Sequence, residues 1–254
     1  MPSSDRLCAI VLAAGRGTRL RPLTDVRPKA LCPVNNVALV DLALARVRPY
    51  TEHIAVNVHH GRDLMEAHLA GRVHLSIEDG EPLGTAGGVA RLRDWVAGRD
   101  VIVANADAWH TGDLDALVDG GGDRIRLLVV ERSRPVDFGP FEYAGAAYMP
   151  WAAVRELPDG PAGLYEASWR PRWQAAELDL VPGPPDFIDC GTPARYLAAN
   201  LAASGGQSVV GAGAVVEGEL IRSVVWPGAL VARGERLVDA IRVGADLTVC
   251  PTQE

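Results

Sequence analysis

Lysine is almost missing from this chain: among its 25 basic residues, Lys29 is the only one. A sequence that uses arginine everywhere else yet keeps one ammonium suggests a position where a compact, flexible cation is needed and a planar guanidinium would not serve. Chance retention is the plain alternative, and composition alone does not separate the two. Long apolar runs are missing as well. None approaches the roughly 20 residues that cross a bilayer, and Met1 to Arg6 lacks the basic-then-apolar layout of a secretory signal. Only four cysteines occur (Cys8, Cys32, Cys190, Cys250), scattered and without a CxxC pair. That pattern excludes a disulfide framework and a zinc site, and the expectation is reduced, interior thiols in a cytoplasmic protein without a membrane partner. Positive charge is in deficit too, 25 basic against 32 acidic residues for a net charge of −7. Nucleic-acid binders are usually basic, so no nucleic-acid partner is expected, although a local basic pocket is still allowed.

What is present is an ordinary globular composition, 48% hydrophobic and 22% charged. The length of 254 residues suffices for one α/β core and a small appendage. Residues 7–13 form an apolar run ending near Gly15, the pattern of a buried parallel strand. Helical spacing follows over 40–47 and 62–69, with strands at 54–58, 73–77 and 101–104, a helix over 86–96, and further strands at 125–130 and 144–148. Strands alternating with helices predict a doubly wound, mostly parallel α/β sheet with ligands at the strand carboxyl ends. The Pro-, Gly- and Trp-rich stretch 157–186 reads as an irregular insertion, and 193–203 as a helix.

Ser204, Gly205 and Gly206 mark a boundary that divides the chain into 1–204 and 205–254. Beyond it, Val225, Val231, Leu237, Val243 and Val249 recur every six residues, with Gly228 and Gly234 in step. Val210 and Val216 keep the interval in another register, which places a slip near 217–220. A period of six with small residues between predicts a short parallel β-helix of roughly two to three coils of about 18 residues. A few ordinary edge strands are the alternative.

The sharpest local signal is Gly15-Arg16-Gly17-Thr18-Arg19-Leu20-Arg21-Pro22-Leu23-Thr24, directly after the first strand. Glycines let backbone amides approach phosphate oxygens there. The loop is not a Walker A sequence, and Leu20 stands where a dinucleotide fingerprint needs its third glycine. Arg19, Arg21 and Lys29 follow closely, a cation cluster suited to a triphosphate. Asp107 closes the strand 101–104, where a carboxylate beside phosphates suits a hard, oxygen-seeking magnesium ion.

The run LAAGRGTRLRPLTDVRPKALCP, from Leu12 to Pro33, closely resembles the sugar-nucleotide pyrophosphorylases, which share LAAGxGTRLxPLT followed by PKxLxPV. Glu81-Pro82-Leu83-Gly84-Thr85-Ala86-Gly87-Gly88, Asn105-Ala106-Asp107 and Asp189-Cys190-Gly191-Thr192-Pro193 match further segments of that family in order. The resemblance implies a Rossmann-like, glycosyltransferase-A-like sheet, with the tail a left-handed β-helix. It implies a nucleoside triphosphate and a sugar 1-phosphate as substrates. Leu12, Ala13, Ala14 and Gly15 would face the base, Gly17 and Thr18 the phosphates, and Glu81, Gly84, Thr85 and Ala86 the base and sugar. Arg19 would hold the leaving pyrophosphate, Lys29 the reacting phosphates, and Asp107 with Asp189 the magnesium. Gly145 and Glu166 would contact the sugar.

Departures are equally specific. Ala106 replaces the usual glycine, and Trp109 and His110 are unusual in their place, with His110 expected to be an exposed or packed histidine rather than a substrate contact. Many relatives carry a second lysine for the sugar phosphate, which this chain cannot supply; Arg132 or Arg134 could substitute. Glu81 to Gly88 and the tail most resemble guanylyltransferases acting on mannose- or heptose-type 1-phosphates, which favours GTP over uridylyl, thymidylyl or cytidylyl transfer. A catalytically silent subunit that binds sugar nucleotides is the reading from a different class. Acyl transfer by the tail is disfavoured, since no histidine follows His110. A self-associating or core-capping tail is expected instead, allowing a homo-oligomer.

Overall fold

A computed structural model of the chain describes residues 6–119 and 121–251. The apolar run after the amino terminus forms strand β1 (Leu7–Leu12), and its side chains alternate between two cores. Leu7, Ala9 and Val11 enter one core and Cys8 and Ile10 the other, which is why the run is apolar without interruption. Helix α1 (Leu39–Val47) and helix α2 (Arg62–Leu69) cover the first face through Val40, Ala43, Leu44, Val47, Met65 and Leu69. Strands β2 (Ile54–Val58) and β3 (His74–Ile77) come next. The expected helix over 86–96 is two, α3 (Gly84–Ala90) and α4 (Arg93–Val96), which cover the opposite face through Ala86, Val89 and Val96.

Strand β4 (Asp100–Asn105) precedes a two-residue strand β5 (Ala108–Trp109). A long hairpin follows, β6 (Ile125–Val136) and β7 (Gly139–Met149), both extending well beyond the apolar cores that signalled them. The seven-stranded sheet also includes β8 (Leu178–Pro182), in the order β8-β6-β7-β4-β1-β2-β3. Pairings are parallel except where β7 runs back between β4 and β6. The stretch 157–186 is therefore not wholly an irregular insertion. Its polar alternation hides β8, an edge strand in which only Leu178 is buried, and a helical turn at Arg170–Gln174.

A further short strand, β9 (Ile188–Asp189), pairs antiparallel with β5, and helix α5 (Pro193–Ala203) begins at Thr192, whose hydroxyl accepts from the Arg195 amide at 3.4 Å. Past α5, short strands stack in parallel pairs: Val209 on Val224, Val215 on Leu230, Glu219 on Arg236 and Val224 on Ile241. The offset is 15 residues in the first two pairs and 17 in the next two, so the slip expected near 217–220 appears as a turn two residues shorter than its counterpart at the next level, and each level is shorter than the 18 residues expected. Val225, Val231, Leu237 and Val243 are all buried, as the six-residue interval implies. Val210 is exposed and its neighbour Val209 is the buried one. The last strand, Leu247–Val249, turns back antiparallel on Ile241–Val243.

A third core joins these strands to the rest. It brings Leu20, Leu23 and Cys32 of the glycine-rich loop region together with Tyr196 and Leu197 of α5 and Val209, Val224, Trp226 and Ile241. Trp226 Nε1 donates to the Tyr196 hydroxyl at 3.0 Å, Tyr196 donates to the Pro33 carbonyl, and the Arg27 guanidinium lies 4.5 Å from the Trp226 ring centre. Cys8, Cys32 and Cys190 are buried free thiols, and burial pushes the first two up to about 12. Cys250 differs from expectation in being exposed. No described helix is long and apolar enough to cross a membrane.

Candidate functional site

The carboxyl ends of β1, β2 and β4 converge on a cleft of about 220 Å³. Its lining includes Leu12, Ala13, Ala14, Gly15, Lys29, Gly84, Thr85, Asn105, Ala106 and Asp107, so most of the residues expected to meet a nucleotide share one cavity. The glycine-rich loop closes one side. Gly17 adopts φ +62°, and a Cβ there would lie 2.9 Å from Thr24 Cγ2 and 3.0 Å from Lys29 Cβ, so the loop folds tightly only with glycine. Thr24 Oγ1 fastens the fold by donating to the Gly17 carbonyl at 2.9 Å. Thr18 and Arg19 sit exposed in the short turn Thr18–Leu20.

Opposite this loop, two carboxylates meet across the β5–β9 ladder. Asp189 pairs with Ala108, and the Cys190 amide donates to the Asp107 carbonyl at 2.9 Å, which brings residues 82 positions apart into register. Lys29 Nζ, with a side chain only 12% exposed, donates to Asp107 Oδ2 and lies 3.7 Å from Asp189 Oδ1. Arg19 Nη2 stands 3.9 Å from Asp189 Oδ2. Burial pushes the Asp189 carboxyl above the ordinary carboxylate range, the Asp107 charge adds to the rise, and Lys29, Arg195 and Arg19 oppose it. The lysine ammonium here supplies a cation to both carboxylates.

The donor set fits a magnesium ion held through phosphates. Two carboxylate oxygens face one small space, and among the described residues no third His, Cys, Asp or Glu joins them, so substrate oxygens and water would complete any shell. Gly145 supports this arrangement from β7. It has φ +79°, and a Cβ would come within 2.3 Å of the Ala108 methyl, beside Asp107. Ala106 donates its amide to the Leu12 carbonyl at 3.0 Å, and its buried methyl forms part of the cleft wall.

Other expected residues stand apart. Ala86 is fully buried, and its amide donates to the Ala162 carbonyl at 2.9 Å rather than facing the cleft. Glu81 is exposed and outside the cleft lining. Glu166 is exposed on the turn Tyr165–Trp169, folded back over Gly163, with no ion pair to the cleft among the described residues. His110 is packed, one of the two placements expected for it. Burial first, then Arg46, pushes its imidazole down to about 4.

Asn57 and Glu78 went unnoticed in the sequence. Asn57 Oδ1 accepts from the Ala13 amide at 2.7 Å, its Nδ2 donates to Glu78 Oε1 at 2.7 Å, and Glu78 Oε2 accepts from the Leu83 amide at 3.0 Å. Both side chains are buried and line the cleft, so this relay ties the first loop to the Leu83–Gly84 turn. A polar residue at the end of an apolar strand was the available signal.

The nucleotidyl transferase family profile matches residues 8–145, more than half of the chain. The chain belongs to this family. The N-acetylmuramate alpha-1-phosphate uridylyltransferase of Caulobacter vibrioides is 43% identical over 120 residues, 44% of this chain and 50% of that protein. The mannose-1-phosphate guanylyltransferase of Mycobacterium tuberculosis is 31% identical over 140 residues, 52% of this chain and 39% of that protein. The matches therefore span half or less of these two relatives. A crystal structure from Thermus thermophilus, described as a mannose-1-phosphate geranyltransferase, superposes with a TM-score of 0.71 at 20% identity over 96% of this chain and 95% of that one, a likeness of fold.

Proposed function

We propose that the chain transfers a nucleotidyl group from a nucleoside triphosphate to a sugar 1-phosphate, with release of pyrophosphate. The observation that carries this reading is the meeting of Lys29, Asp107 and Asp189 beside the glycine-rich loop, at the mouth of a cleft lined by backbone and small side chains. An oxygen of the sugar phosphate attacks the α-phosphorus, the bond from that phosphorus to the α,β-bridging oxygen breaks, and pyrophosphate departs with the electron pair. A phosphate oxygen is already nucleophilic, so the protein's task is placement and neutralisation of charge. Lys29 offsets negative charge where two anions approach, Arg19 faces the departing pyrophosphate, and Leu12 to Gly15 with Gly84 and Thr85 frame the base and ribose. Gly17 and Thr18 present the loop to the phosphates. Asp107 and Asp189 would hold magnesium, which when bound supplies a Lewis acid and a template for phosphate oxygens. Gly145 keeps β7 against Asp107.

The uridylyltransferase relative, at 43% identity, supports UTP as the donor, with an N-acetylated muramic acid 1-phosphate as acceptor. GTP with a mannose- or heptose-type 1-phosphate, expected from the sequence, is the second reading and has the Mycobacterium relative in its favour. Pyrophosphate release with magnesium, across both pairings, separates them. Nucleotide binding without release under every pairing would instead favour a silent sugar-nucleotide-binding subunit.

The stacked pairs beyond Gly205 read as a rudimentary left-handed β-helix that caps the catalytic part, 1–204. Exposed Val210, Val215, Leu230 and Val238 on its outer faces support self-association, which gel filtration tests.

A further inference from the structure

The transfer brings two phosphate groups together, and the chain's only lysine already faces Asp107. A second cation is needed for the incoming phosphate. Arg19 lies on the loop side with its side chain 71% exposed. On the other side stands a cluster to which the proposed reaction gives no part. Glu142 of β7 accepts from Arg132 Nε at 2.5 Å through one oxygen, and its other oxygen lies 3.4 Å from Arg195 Nη2. Arg195 stands in the first turn of α5, six residues after Asp189, and Glu142 three residues before Gly145, the residue pressed against Ala108. The cluster thus flanks the carboxylate pair from both of its supports, and the Arg195 charge acts on Asp189 alongside those of Lys29 and Arg19.

We propose that Arg195, with Arg132 beside it, binds the phosphate of the sugar 1-phosphate in the place the Glu142 carboxylate now occupies and presents it to the α-phosphorus. This rests on the nucleotidyl-transfer reading. The Glu142 carboxylate marks the place, since an anion already sits between the two arginines. The Arg195 contact is long and uses a single N–H of Nη2, which leaves further N–H groups of the guanidinium to a phosphate. Both arginine side chains keep about a third of their surface exposed, as a substrate-facing group must. Arg134, the other arginine expected to replace the missing lysine, points into solvent and forms no ion pair among the described residues.

The test is steady-state kinetics of wild type, Arg195→Ala, Arg195→Lys and Glu142→Gln, with KM measured separately for both substrates. Arg195→Ala is expected to raise KM for the sugar 1-phosphate about ten- to a hundredfold, the range for a hydrogen bond to a charged group, and to leave KM for the triphosphate unchanged. Arg195→Lys should restore part of that loss. Glu142→Gln should hold or lower the sugar-phosphate KM, because it removes the competing anion. Equal rises in both KM values, or a rise in Glu142→Gln matching that of Arg195→Ala, would make the cluster a structural ion network and overturn the proposal. Wild type that turns over neither pairing defeats the nucleotidyl-transfer reading instead. Calorimetric titration of N-acetylmuramate 1-phosphate and mannose 1-phosphate, with α,β-methylene triphosphate bound, then judges the clamp alone. Binding lost in Arg195→Ala upholds it; binding retained there, or absent from wild type, overturns it.

Discussion

The ammonium of Lys29 donates to the carboxylate of Asp107 from 78 residues away in the chain, and both groups face the same cleft. The pair explains why one lysine persists in a chain of arginines. The position lies beside Asp189 and behind Gly17, whose missing side chain leaves room for a slender stem.

Lys29→Arg should therefore fail although charge is kept. A branched guanidinium has no room beneath the loop, so kcat is expected to fall about a hundred- to a thousandfold, the usual loss for a charge contact to a transition state. Turnover within about threefold of wild type would show that charge alone matters there.

Asp189 carries a stability signature. Its folded carboxyl is raised by burial and by Asp107, so the folded state favours the protonated form. Wild type then loses stability relative to Asp189→Asn as pH rises from below the ordinary carboxylate value through the raised one. Thermal melts without divalent metal should show Asp189→Asn melting higher at about pH 7.5 and converging with wild type near about pH 3. A higher-melting wild type at the upper pH would mean that Lys29 outweighs the desolvation.

Asn57→Ala should uncouple the two nucleotide loops. The Ala13 amide and a buried Glu78 oxygen lose their partner, which costs about 1–3 kcal/mol each. Equilibrium unfolding should show that loss, and KM for the triphosphate should rise about tenfold while KM for the sugar phosphate holds.

The tail is expected to be inseparable from the loop it covers. Trp226→Ala removes a fully buried ring together with its contacts to Tyr196 and Arg27, at a cost of about 3–5 kcal/mol. A chain cut near Gly205 exposes the core shared by Leu20, Leu23 and Tyr196, and should aggregate on gel filtration. A monodisperse, active fragment would show that the tail serves only association.

Much of this was legible in the sequence because the signals are local. β1 announces itself by an apolar run that feeds two cores, and the glycine-rich loop, Asp107 and Asp189 carry their motifs on contiguous residues. The missed features depend on distance. β8 reads as irregular because an edge strand covers only part of its side chains, and Asn57 with Glu78 matters only once two strands are side by side. The Arg132–Glu142–Arg195 cluster draws on three segments, none of which has a distinctive pattern alone. Glu81 and Glu166, placed by alignment to loop sequences, lie outside the cleft because loop sequence does not fix where a loop points.

The central claim concerns which phosphorus is attacked, and isotope tracing reads it directly. The protein would be incubated with magnesium, N-acetylmuramate 1-phosphate or mannose 1-phosphate, and triphosphate radiolabelled with phosphorus at either the α or the γ position. Nucleotidyl transfer predicts α label in a sugar nucleotide and γ label in pyrophosphate. Label from the γ position in a phosphorylated sugar or in free phosphate, or no product despite bound nucleotide, would contradict the account.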